Sequence, residues 1–169
     1  MNKLVATSLS IGGVGGVMSL IYLSSYISAP LAIPVSFIAW GAFAAAGGNN
    51  KALTSTITAL IYGAVVGWLT AQILMGAVAG FLPQPLANAV SVGLSVFVLI
   101  YGTKVKAFSA VPAAVYGYAL FFALLLSGTA DNLTGASLTG NPLVFTAAFG
   151  AAGAVFGMIA NNVSASLGK

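Results

Sequence analysis

Cysteine, histidine, arginine and glutamate are all missing from this 169-residue chain, and charged residues make up only 4% of it: five lysines and one acid, Asp131. Each absence excludes something. Without cysteine there is neither a disulfide framework nor a thiolate metal site. Without histidine, and with a single carboxylate, there is no paired acid and base, no catalytic triad and no metal cluster, and no phosphate-binding glycine loop occurs. The chain is therefore not read as an enzyme, and neither a cofactor, a metal nor a nucleic-acid partner is expected. A soluble domain carries roughly 25% charged residues to cover its surface. A chain with so few must turn its surface toward lipid, and the bilayer is its first expected partner.

What is present is apolar: 60% of the residues are hydrophobic and the mean hydropathy is +1.08. A helix needs about 20 mostly apolar residues to cross a hydrocarbon core of about 30 Å. The apolar segments predict an all-α integral membrane protein with six transmembrane helices, near Leu4 to Tyr26, Leu31 to Ala46, Leu53 to Phe81, Leu86 to Thr103, Phe108 to Ser127 and Leu143 to Val163. The second is short and the third long, which leaves open a broken or re-entrant segment around Gly47 to Thr58. Such a segment needs its backbone buried in protein.

Charge placement gives an independent reading. With a cytoplasmic N-terminus, six crossings put Lys3, Lys51, Lys104, Lys106 and Lys169 inside and leave only Asp131 in the outer loops, so every lysine obeys the positive-inside rule. Adding or removing one crossing scatters the lysines. The expected location is a bacterial inner membrane with both termini cytoplasmic. A cleaved signal peptide over the first segment is disfavoured because Ser28-Ala29 is followed by Pro30.

The two halves resemble each other. "LIY" at Leu20 to Tyr22 recurs at Leu99 to Tyr101, although a third copy stands at Leu60 to Tyr62. Laying residues 4–81 on 86–165 pairs Pro34 with Pro112, Trp40 with Tyr118 and Phe43 with Phe121 at an offset of 78. It pairs Gly63 and Gly67 with Gly153 and Gly157, and Gln72 with Asn162, at an offset of 90. Three helices per repeat give the halves opposite orientation, an inverted 3+3 repeat within one transmembrane domain, an arrangement that recurs in transporters with the path at the interface between halves. Gly63, Gly67, Gly153 and Gly157 form GxxxG pairs and are read as helix-packing positions. "GGVGG" at Gly12 to Gly16 gives the first helix another smooth face. Pro34 and Pro112 are expected near helix starts, with kinks as the alternative.

Neutral polar and aromatic residues are the remaining candidates for a path. Gln72, Asn161, Asn162, Asn50 and Asn88 carry amides that can replace a small solute's hydration without trapping charge. The alternative, which applies to Asn49 as well, is that they cap helices or sit at the interface. Trp40, Phe43, Tyr118 and Phe121 occupy repeat-related positions and are candidates for a hydrophobic constriction at the midplane, or else they pack against neighbours. Trp68, Tyr22, Tyr26 and Tyr101 read as packing or belt residues. The hydroxyls of "TSTIT" at Thr54 to Thr58 offer a cation site, or bond back to their own helix. "NPL" at Asn141 to Leu143 resembles the aquaporin NPA box, but it occurs once and lacks the alanine. It implies no more than a helix N-terminus with its positive dipole end turned inward.

The size, the six spans, the richness in Gly and Ala and the segment "AWGAFAAAGGNNKAL" at Ala39 to Leu53 resemble the YcdZ-like small bacterial inner-membrane proteins, which carry a domain of unknown function. The resemblance spans nearly the whole chain and implies an inner-membrane location without supplying an activity.

The expected function is a channel or facilitator that passes a small neutral or weakly polar solute without proton coupling, since no charged residue falls in a span. A non-conducting subunit that binds another membrane protein is the alternative, and a cation-coupled carrier the third. A continuous polar path favours the first, a sealed interior with an exposed glycine face the second, and oxygens clustered at the midplane the third. A homo-oligomer is expected for so small a membrane protein.

Overall fold

Three asparagines start three of the helices. In the computed structural model, which describes residues 1–168, the Asn2 side chain accepts from the Leu4 amide at 2.9 Å, Asn49 from Ala52 at 2.9 Å, and Asn141 from Leu143 and Val144 at 2.8 and 3.2 Å. Each carbonyl oxygen satisfies amides that have no partner within their own helix. They open α1 (Lys3–Leu23), α3 (Asn50–Ala79) and α6 (Pro142–Leu167). Between them lie α2 (Ala32–Ala45), α4 (Leu86–Gly102) and α5 (Val111–Leu126). The described residues thus form six helices and no strand. Pro34 and Pro112 both fall in a first helical turn, where a missing amide hydrogen costs little.

Three helices, α1, α3 and α6, are long and apolar enough to cross a membrane; α2, α4 and α5 are apolar but have only 14, 17 and 16 residues. At 1.5 Å per residue α2 reaches about 21 Å and α3 about 45 Å. The region considered for a break, Gly47 to Thr58, is instead a tight turn followed by unbroken helix. Gly47 and Gly48 take φ values of 108° and 62°, which L side chains rarely adopt, and α3 runs on from Asn50. The irregularity in α3 lies farther along, at a π turn over Thr70–Leu74.

Helices α3 and α5 run parallel in close contact, as do α2 and α6, while α1 packs on α6, α4 on α3, and α3 crosses α6. Contacts at the ends fix the directions: Thr7 meets Ser164, Gly48 meets Asn161, and Thr58 meets Ala107. Lys3, Lys51, Lys104 and Lys106 therefore lie at one end of the bundle and Asp131 at the other; Lys169 lies outside the described residues. The outer surface is apolar, with Leu20 72% and Phe97 67% exposed, as a lipid-facing surface requires and a water-facing one does not.

Candidate functional site in the seam between the half bundles

The four glycines paired by sequence sit at helix crossings that correspond between the halves. A Cβ on Gly63 would strike the Ala114 carbonyl of α5, and one on Gly153 would strike the Ser36 backbone of α2. Gly63 and Gly153 are offset by 90, Ser36 and Ala114 by 78. One turn on, a Cβ added to Gly67 would lie 2.9 Å from the Phe121 ring and one added to Gly157 2.8 Å from the Phe43 ring, again related by the same two offsets. Backbones approach this closely only where no side chain intervenes. Leu60 and Gly150 are also offset by 90, and they touch each other, at 2.6 Å for an added Cβ. In a two-fold arrangement, equivalent residues meet only at the axis.

The same comparison dissolves the "LIY" match. Buried Ala6, Ser10 and Met18 of α1 correspond to buried Ala87, Ser91 and Leu99 of α4 at an offset of 81, whereas "LIY" aligns at 79. Tyr22 is buried and bonds Ser36 at 3.0 Å, but Tyr101 is exposed beneath Lys104. In the shifted register the serines agree: Ser10 donates to the Ala160 carbonyl of α6, and Ser91 donates to that of Leu74 on α3 at 3.5 Å.

A vestibule stands at either end of the bundle. The first, of about 490 Å³, lies at the lysine-bearing end between the close of α2, the start of α3 and the start of α5, and is lined by Asn49, Ser55 and Ser109 among others. The second, of about 210 Å³, lies at the opposite end between the loop before α2, the α5–α6 loop and the start of α6, with Leu31, Ser137, Thr139 and Phe145 on its walls. Three lining positions correspond, Asn49 with Thr139 and Ser55 with Phe145 at an offset of 90 and Ser109 with Leu31 at 78, while the other wall residues, Lys51 of the first vestibule among them, have no counterpart. Between the vestibules the seam is filled. Ala39, Leu60 and Ala114 are fully buried there, as is the ring of Phe121.

The aromatic candidates do not meet. Trp40 stacks on Phe37 at 5.6 Å and covers Gly157, facing α6. Tyr118 turns to α4 and bonds Ser95 at 2.8 Å. Among the described residues no ring contact joins Trp40 to Tyr118 or Phe43 to Phe121, so no shared constriction forms. The rings instead fill the space over Gly67 and Gly157, because glycine opens room on its own side of a crossing.

The amide candidates lie at the ends. Asn161 is exposed and donates to the Gly48 carbonyl at 3.0 Å, tying α6 to the α2–α3 turn. Gln72 donates to the Leu133 carbonyl at 3.4 Å, joined by the Trp68 indole at 2.8 Å, which ties α3 to the α5–α6 loop. The two half bundles thus hold each other's loops in corresponding ways. Asn50, Asn88 and Asn162 are exposed, and the Asn162 carbonyl accepts from Ser166. Trp68 as a loop anchor was not foreseen; a lone tryptophan in an apolar run carries no signal of its partner.

The "TSTIT" hydroxyls do not converge. Thr54, Ser55 and Thr58 donate to carbonyls of their own helix, and Thr58 also to Ala107. Thr56 alone in the run is fully buried. Asn141 caps its own helix and donates to Gly135 at 2.6 Å, so "NPL" is a loop-to-helix joint at the far vestibule. Among the described residues no group of three or more His, Cys, Asp or Glu comes together.

A family model described as a protein of unknown function (DUF1097) matches residues 8–165. The match bears out the domain of unknown function that the resemblance implied, without naming the YcdZ-like group. No curated protein and no solved structure matches the chain.

Proposed function

The chain belongs to the DUF1097 family, and from that premise we propose that it is a six-crossing inner-membrane facilitator of inverted 3+3 repeats, which passes a small neutral polar solute through the seam between its halves. The observation that carries this reading is the pair of vestibules at opposite ends of the bundle, which share three corresponding wall positions. In an inverted repeat, equivalent cavities open to opposite sides of the membrane and the filled layer between them is the barrier. The lysine-bearing end faces the cytoplasm on the positive-inside rule. No charged side chain stands between the vestibules, so passage runs down the solute's gradient without proton coupling.

The test is flux into proteoliposomes, followed by stopped-flow light scattering across urea, glycerol, formamide and water. Selective flux above empty liposomes is expected. Because the chain has no histidine, the side chain that ordinarily titrates between pH 5 and 8, the rate is expected to stay flat across that range. Absence of flux for all four solutes from folded protein overturns passage of those solutes.

A second reading has its own observation. Gly12, Gly13 and Gly16 of α1 have no side-chain or backbone neighbour within 4 Å of an added Cβ, apart from their own helix, and the seam is filled rather than open. That favours a non-conducting subunit docking another membrane helix on α1. Alanine or leucine at Gly12 and Gly16 would then abolish co-purification of a partner and leave liposome flux at the background level.

A further inference from the structure

Two buried hydroxyls in the seam have no hydrogen-bond partner, Thr56 on α3 and Thr146 on α6, and both side chains are fully buried. They are offset by 90, as are Gly63 and Gly153, Gly67 and Gly157, and Leu60 and Gly150. A threonine in an apolar helix ordinarily bonds the carbonyl four residues back, and α3 does so at Thr54, Thr58 and Thr70, the last at 2.7 Å to Val66. Thr56 and Thr146 do not. A buried hydroxyl left unpaired is costly, and each one in a native structure calls for an explanation. One could be an accident of rotamer; two at corresponding positions in a repeat point to a common role.

Their placement supplies the role. Neither threonine lines a vestibule, but each is buried just behind one: Ala52 and Ser55 are on the wall of the first and Thr56 lies one turn along α3 from Ala52, while Phe145 is on the wall of the second and Thr146 follows it. One further turn brings each helix to the axis contact between Leu60 and Gly150. The hydroxyls therefore stand on opposite sides of the barrier, separated by roughly 12 Å along the bundle, eight residues of rise at 1.5 Å each. We propose that Thr56 and Thr146 are paired solute-binding stations, one buried behind the wall of each vestibule, for a small neutral molecule that can both donate and accept a hydrogen bond. This rests on the facilitator reading and gives it a route. A hydroxyl offers one donor and two lone pairs, enough to exchange with an amide or alcohol. A single hydroxyl with no carboxylate nearby cannot replace the hydration of an ion.

The absence of native cysteine makes the test direct. Single Thr56→Cys and Thr146→Cys chains in liposomes are treated with methyl methanethiosulfonate, a small neutral thiol reagent, with and without glycerol or formamide. Ser10→Cys, at a position that is buried, bonded to the Ala160 carbonyl in the native chain and away from both vestibules, is the control. Both stations are expected to react several-fold faster than the control and to be slowed by the solute that the protein passes. Flux of that solute is expected to fall roughly three- to tenfold in Thr56→Val and in Thr146→Val, the loss of one hydrogen bond each, and to be retained in Thr56→Ser and Thr146→Ser. Reaction at the control rate, or reaction that no solute slows, overturns the stations whatever the flux. Fast, solute-protected reaction in a protein that passes nothing keeps the stations and overturns the facilitator. Flux in the wild type that both valine variants match keeps the facilitator and overturns the stations.

Discussion

At the scale of single residues, the glycines that matter are those whose missing Cβ is occupied by another helix. Gly63, Gly117 and Gly153 each face a backbone carbonyl across a crossing, whereas Gly12 faces open space. Gly63→Ala and Gly153→Ala are therefore expected to cost about 1–3 kcal/mol through overpacking, with similar losses for the two because the crossings correspond. Gly12→Ala is expected to be neutral or slightly stabilising, since alanine is the better helix former. Apparent melting temperatures of the three variants in detergent check this; a fall for Gly12→Ala as large as for Gly63→Ala removes the argument. The GxxxG pairs were legible in sequence because membrane helices lack a hydrophobic drive to associate, leaving small residues as the visible trace of close approach. "LIY" misled for the opposite reason. Leucine, isoleucine and tyrosine suit lipid and core alike, so the triplet carries no register, and Tyr22 and Tyr101 ended in different surroundings. The unpaired Thr56 was hidden among hydroxyls that bond their own helix, and nothing in "TSTIT" marks which one turns inward without a partner.

At the scale of elements, helix number and helix length were both legible: the six expected segments end within four residues of the observed helices, and α2 was already the short one. What ends α2 was not, since it stops at Ala45 because Gly47 and Gly48 turn the chain at positive φ. The vestibules were not legible either, because they depend on how the helices and loops are placed against each other. The α5–α6 loop was read as a plain outer connection, yet it is anchored at Leu133 by Trp68 and Gln72 of α3 and at Gly135 by Asn141. A loop without regular helix opens locally before the bundle does. Trp68→Phe, which keeps the ring and removes the indole donor, is expected to raise amide hydrogen exchange across residues 128–140 while leaving α2 unchanged. Unchanged exchange in that loop would show that the indole bond contributes nothing to its order.

At the scale of the whole molecule, the alternating helices collect Lys3, Lys51, Lys104 and Lys106 at one end, the arrangement the lysine spacing implied. Cysteine placed at Lys51 or Lys106 is expected to react with an impermeant thiol reagent only from the cytoplasmic side, and cysteine at Asp131 only from the other side. Reaction of the two lysine positions from opposite sides would rule out the six-crossing arrangement. The proposed inverted repeat makes a stronger demand, because on that reading a barrier flanked by two equivalent vestibules must be closable from either end. Ser109 lines the first vestibule and Thr139 the second; both are exposed, and neither belongs to the close glycine crossings that hold the halves together. Tryptophan at Ser109 fills part of the first cavity, and tryptophan at Thr139 much of the smaller second one. Each alone is expected to reduce solute flux to near that of empty liposomes with little loss of melting temperature, and the double variant to fall no further, since two blocks in series act as one. Block by Ser109→Trp with full flux in Thr139→Trp would place the route elsewhere on the outer side, and the correspondence of the two cavities would then reflect shared descent of the halves without shared use.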